Sequence, residues 1–185
     1  SDLLNNEALM AQIEKYLKTC NNGSDDMHLD VALMARQGHL YMRQFFHESR
    51  EAYYDNSGCF EIGSGHETNT EIFTEQDLNL MIKTYQGHFL EILEPRSGER
   101  CVYLLIHTGS FTLADRFKQF YYPKMAKISY ENNWASKSEI LNETFFVHKS
   151  HDIIFQYYND AKMLMNFAVA YRDLVEIKLD RKSTR

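Results

Sequence analysis

Two stretches carry residue types that could do chemistry. Asn56 to His66 (NSGCFEIGSGH) sets Cys59 among glycines, and Val102 to Ser110 (VYLLIHTGS) runs from an apolar segment into His107. A cysteine becomes a nucleophile when an imidazole within hydrogen-bond reach takes its proton and a third group orients that ring. Gly58 would let the Cys59 thiol sit on a tight turn. His107, just before Thr108-Gly109, stands where a base at a strand end faces a cleft. His66, in the loop after Cys59, is the alternative base. Gly58, Gly63 and Gly65 could free backbone amides for a developing oxyanion. The catalytic expectation is Cys59 as nucleophile with His107, or else His66, as base. A small buried thiol beside unrelated histidines is the plainer alternative.

Ser57-Gly58-Cys59 and His107-Thr108-Gly109 together resemble fragments of the cytotoxic-necrotizing-factor type of bacterial glutamine deamidases. The resemblance implies a nucleophilic cysteine on a Ser-Gly-Cys turn, a histidine on a following strand, and action on a protein side chain. It rests on those two triplets in a chain of 185 residues. Three weaker patterns point elsewhere. Gly63-Ser64-Gly65 lacks the helix and the Lys-Ser/Thr pair of a phosphate-binding loop, and reads as a plain mobile turn. His148, His151 and Asp152 are metal-capable, and His151-Asp152 resembles the name-giving pair of the HD phosphohydrolases. No further ligands accompany them, so Asp152 is better explained by the dipole of a helix beginning there. Glu176-Ile177-Lys178 matches the end of a nuclease pattern without its preceding acid, and reads as charges on an exposed edge. No metal site and no cofactor are expected.

Composition narrows the partners. With 20 Lys+Arg against 26 Asp+Glu, the net charge is −6. Phosphate neutralisation supplies most nucleic-acid affinity, and the only basic cluster, Arg181 to Arg185, is a short tail. Neither nucleic acid nor an anionic membrane is an expected partner. Cys20, Cys59 and Cys101 are an odd, widely spaced set, neither a disulfide framework nor a zinc site. They suit a reducing compartment: the cytoplasm, or a host cytoplasm into which the chain is delivered. No apolar run reaches the length of a membrane span, and the residues from Ser1 carry no signal-peptide pattern.

Periodicity predicts the elements that would position these groups. Leu3, Met10, Ile13 and Leu17 mark one helix. Val31, Met34, Tyr41 and Phe45 mark a second, capped from Asp25-Asp26, with Leu29, Leu33 and Leu40 widening its buried face. Residues 1–54 are thus a helical pair. Cys59 to Ile62 is strand-like. Thr74 caps a helix with Asp77 and a Phe73/Leu78 staple, and that helix ends at Gly87. His88–Leu93 and Arg100–Ile106 form a hairpin. A helix over 111–121 stops before Pro123. Further strands are expected at 127–130 and 144–148, around a loop containing Trp134. Ser150 caps a long helix carrying Ile153, Tyr157, Leu164, Phe167 and Tyr171 inward, and Leu174–Leu179 alternates like a last strand. The fold expected is α+β in one domain over 1–185: the helical pair as one layer, then a mainly antiparallel sheet packed with helices over 55–180.

The aromatic load is the broadest signal, with 12 Tyr, 12 Phe and 1 Trp. Phe45-Phe46, Tyr53-Tyr54, Phe120-Tyr121-Tyr122, Phe145-Phe146 and Tyr157-Tyr158 are adjacent rings. Neighbours on a helix or strand cannot both face one core, so some rings must lie at edges, in a pocket or on a partner surface. The leading expectation is an acidic recognition or regulatory module that binds a protein partner or small ligand through an aromatic-rich surface or pocket. The rival is a cysteine-dependent enzyme, of deamidase, protease or acyltransferase type and of the bacterial-effector kind, using Cys59 and His107.

Overall fold

The computed structural model describes residues 30–42, 60–74, 76, 87–93 and 103–183. Helix α1, Val31–Gln37, starts at Asp30, whose carboxylate accepts from the amides of Ala32 and Leu33 at 2.8 and 3.0 Å. That is the N-cap geometry that satisfies orphan amides of the first turn. Gly38, at φ 55°, breaks the helix before α2, His39–Met42. The predicted cap at Asp25-Asp26 and the first predicted helix lie outside the described residues. Val31, Met34 and Tyr41 are buried as their spacing requires. Leu33 and Leu40 are exposed, so the buried face is narrower than expected.

Strands β1, Gly87–Leu93, and β2, Tyr103–Thr108, form an antiparallel hairpin with Leu90 opposite Ile106. Gly87 opens β1, opposite Thr108; the helix predicted to end at Gly87 and the Asp77 partner of the Thr74 cap lie outside the described residues. Ile106 packs against the core and Thr108 is buried, while Tyr103, Leu105 and His107 share the exposed face, as the two-residue period of a strand dictates.

Helix α3 spans Phe111–Glu131 and continues past Pro123. The proline deprives the Gln119 carbonyl of its partner, but both residues are exposed and water can serve that oxygen. Leu113, Phe117 and Tyr121 before the proline, and Ser129 after it, are buried, so tertiary packing holds both halves. The strand expected at 127–130 is therefore helix. The real stop is Asn133, at φ 58°: its amide bonds the Tyr130 carbonyl and the Trp134 amide bonds the Ser129 carbonyl. This is the paired closure of a Schellman motif, with asparagine in the left-handed position. Helix α4, Lys137–Leu141, opens on a Ser136/Glu139 capping box and closes the same way at Glu143, φ 54°. Residues 144–148, expected as a strand, form no ladder; Phe145 instead meets Tyr122 edge-on and Phe146 stacks on Trp134.

Helix α5, Asp152–Ser183, is the axis of the fold, packed by α1, α2, α3 and β2. Its start is capped by His151, whose Nδ1 accepts from the Ile153 amide, while the Ser150 hydroxyl pairs with His148. The strand expected at 174–179 is the continuation of this helix. Consecutive Leu174 and Val175 are both buried because elements cover α5 on several sides, and a helix so enclosed loses its one-sided period. The α+β class holds, with a two-stranded sheet among the described residues.

Among the described residues of α5, Asn159, Asp160, Asn166 and Asp173 are buried polar side chains. Asn166 Oδ1 accepts from the Phe60 amide at 2.6 Å, while its Nδ2 donates to the Phe60 and Arg36 carbonyls at 2.9 and 3.2 Å. Asn159 Oδ1 accepts from the Gly63 amide at 2.7 Å. Residues 60–62 are thus held by side chains of a helix, not by the strand partner that the pattern suggested.

Asp173 lies two heptads from Asn159 on the same face, and its Oδ2 has no hydrogen-bond partner among the described residues. Burial, assisted by Glu176 and opposed by Arg172, pushes its carboxyl up to about 7. A carboxyl raised above its unfolded value favours the fold most below that value, near 4, and loses this contribution as pH climbs to about 7. Asp173→Asn should therefore be more stable than the wild type above pH 7, by about 1–4 kcal/mol in chemical denaturation, with the gap closing towards pH 4.

Candidate functional site

The residues between Phe60 and Thr74 are irregular yet closely specified. The His66 amide donates to the Gly63 carbonyl at 3.1 Å, and Gly65, at φ +78°, takes the third position of a type II turn, where a side chain would be strained. A Cβ at Gly63 would lie 3.1 Å from the amide of Asn159 and the ring of Phe155, so the glycine permits close approach to α5. Asn69 accepts from the Glu71 amide through its side chain, and its carbonyl serves Ile72 and Phe73. Arg36 of α1 reaches across to the Thr68 hydroxyl at 2.9 Å and the His66 carbonyl at 2.6 Å.

These constraints deliver His66 to Asp160. The imidazole Nε2 lies 2.7 Å from Asp160 Oδ1, with side chains only 6% and 1% exposed. The Tyr121 hydroxyl donates to Oδ2 at 2.6 Å, and Asn69 Nδ2 adds a longer bond of 3.4 Å to that oxygen. An ionised carboxylate only accepts, so His66 Nε2 carries the hydrogen, and Nδ1 has no hydrogen-bond partner among the described residues. Burial, together with the bond to Asp160 and its charge, raises the Tyr121 phenol far above the ordinary tyrosine range. Tyr121 is thus a neutral donor at any physiological pH. Lone buried charges are costly, and here three donors from two segments satisfy one carboxylate.

Beside this network opens a cleft of about 460 Å³. Its walls are the 65–71 backbone, the rings of Phe120 and Phe155, and Gln156. Glu67 and Glu71 stand exposed at its rim. Phe155 meets the His66 ring edge-on at 6.1 Å. Lys124 Nζ sits 3.0 Å from the centroid of Phe120, a cation already drawn to one of these rings.

Of the residues singled out from sequence, His66 enters this network. His107 lies on the exposed face of β2, and the cleft is lined by other residues. Cys59 lies outside the described residues, immediately before the clamped Phe60. His148 and His151 serve the turn leading into α5, and among the described residues no group of three or more His, Cys, Asp or Glu could hold a metal ion. Asp160, Tyr121 and Asn69 were not anticipated. Their signal was present: Asn159-Asp160 and Asn166 interrupt a helix whose neighbouring positions are apolar. Among the described residues no helix is long and apolar enough to cross a membrane.

Comparison with protein-family models, with curated proteins and with solved structures finds no match for this chain.

Tyr121→Phe should cost about 1–3 kcal/mol of stability, since it strips the buried Asp160 of a charge-assisted bond. In a double-mutant cycle with Asp160→Asn, denaturation midpoints should show coupling of about 0.5–3 kcal/mol. Strict additivity would remove the network from the account.

Proposed function

We propose that this chain is a recognition module that binds a small ligand in the cleft beside His66. The ligand would carry a flat apolar face and a cationic or amide hydrogen-bond donor. The observation that carries this reading is the fixation of His66 by the buried Asp160 beside aromatic walls and an acidic rim; in a neutral imidazole that donates through Nε2, Nδ1 would be an acceptor for the ligand. A pocket that orients a ligand needs few polar groups, each held rigidly, among apolar ones, and a volume of a few hundred Å³ is the usual range. The carboxylates Glu67 and Glu71 favour cations and disfavour phosphates. The net charge of −6 works in the same direction.

One observation favours the cysteine-dependent enzyme as a second reading. An imidazole held through one nitrogen by a buried carboxylate has the orientation of a general base, and His66 follows Cys59 closely in the chain. On that reading, iodoacetamide should modify Cys59 near neutral pH faster in the wild type than in His66→Gln. Equal rates, measured by peptide mapping, would leave recognition alone.

Benzamidine, flat and cationic, is a suitable probe for the cleft, and benzoate is its anionic counterpart. Titration into ¹⁵N-labelled protein should move the amide resonances of residues 65–71 with benzamidine and leave them unmoved with benzoate. No benzamidine response, or an equal response to both, would contradict the proposal.

A further inference from the structure

A second concavity, independent of the cleft beside His66, is built where α3 ends. It encloses about 610 Å³ and is lined by Tyr130, Glu131, Trp134, Ser136 and Glu139, with Asn133 and Ala135 between them. The Schellman closure fixes its floor, because the Trp134 amide is tied 2.9 Å from the Ser129 carbonyl. The indole is braced by Phe146, stacked at 6.2 Å and 17°, and by His148 at 6.3 Å. Tyr130 and Phe146 are 55% and 60% exposed, an unusual surface for large rings.

Three sources of negative potential converge here. Glu131 is exposed in the last turn of α3, a turn with no basic residue. The carbonyl end of that 21-residue helix carries the negative pole of its dipole. Glu139 is held in place by the Ser136 amide and hydroxyl at 2.7 and 2.6 Å, bonds that keep its carboxyl below the usual glutamate range. Lys127 Nζ approaches Glu131 only to 3.8 Å, with both side chains mostly exposed, a pair that a better cation can replace.

We infer that this groove is a docking site for an arginine side chain of a basic peptide segment on a protein partner. A guanidinium is planar, stacks on indole and phenol faces, and offers several donors to two carboxylates at once; a lysine ammonium does the first two poorly. Charge complementarity decides the occupant. An apolar helix would leave Glu131 and Glu139 unpaired, and a phosphate would be repelled by them.

Trp134 is the only tryptophan in the chain, so its fluorescence reports on this groove directly. The probe is an acetylated, amidated Gly-Arg-Gly peptide, with the lysine and citrulline peptides as comparisons. The arginine peptide should shift Trp134 emission saturably, bind several-fold more tightly than the lysine peptide, and weaken with added salt. The citrulline peptide, isosteric but uncharged, should leave the emission unchanged. Glu131→Gln with Glu139→Gln should weaken arginine binding at least five-fold, and glutamine retains the capping box. Tyr130→Leu, at an exposed position, should weaken it as well. An emission unmoved by the arginine peptide would overturn the inference. So would a citrulline peptide that binds equally well, or a double glutamine variant that binds like the wild type.

Discussion

The fold turns on a conflict within one helix. Helix α5 must be apolar to fill the centre of the molecule, yet it buries Asn159, Asp160 and Asn166 there. Each buried amide or carboxylate would cost several kcal/mol if left unpaired. The segment from Phe60 to Asn69 is what pairs them. Asn166 treats Phe60 as a neighbouring strand would, bonding both its amide and its carbonyl. Asn159 takes the Gly63 amide, Asp160 takes His66 and Asn69, and Lys162 reaches the Glu61 carbonyl at 3.0 Å. A segment without regular structure is thereby fixed as firmly as a strand. The helix depends on the segment in return, because that peptide, with Tyr121 and the Arg36 carbonyl, satisfies the polar groups of its interior.

Both candidate sites follow from how chain ends and turns are fixed. The type II turn at Gly63–His66 delivers an imidazole to a buried carboxylate and opens a cleft beside it. The left-handed Asn133 stops α3 and presents Trp134 beside two carboxylates. In each case an aromatic wall sits against an acidic rim. That combination, in a chain of net charge −6, is what the proposed cationic ligand and arginine-bearing partner would require.

What could be read from the sequence was whatever one-sided burial writes as a period. The hairpin around residues 94–99, the inward stripe of α5 through Phe167 and Tyr171, and the burial of Val31, Met34 and Tyr41 were legible for that reason. The C-terminal end of α5 was not. Leu174 and Val175 are buried side by side, and an enclosed helix can mimic the alternation of a strand. Pro123 misled as a helix stop because the carbonyl it leaves without a helical partner belongs to an exposed residue, Gln119, and packing holds the helix on both sides. Cys59 to Ile62 looked like a strand from its short apolar pattern, but the amide and carbonyl of Phe60 bond the side chain of Asn166, remote in sequence. His66 was visible as a candidate. Asp160 was not, since a carboxylate in a helix is ordinarily a solvated one and only the tertiary fold buries it.

The central claim is that asparagine side chains of α5, and not a strand, hold the segment that carries His66. Amide hydrogen exchange tests it most directly. In the wild type the amides of Phe60 and Gly63 should be protected well beyond that of Ser64, although none of the three lies in a helix or sheet. Asn166→Ala should release the Phe60 amide while amides in the middle of α5, such as that of Phe167, remain protected. A Phe60 amide that exchanges freely in the wild type, or at the same slow rate in Asn166→Ala, would contradict the account.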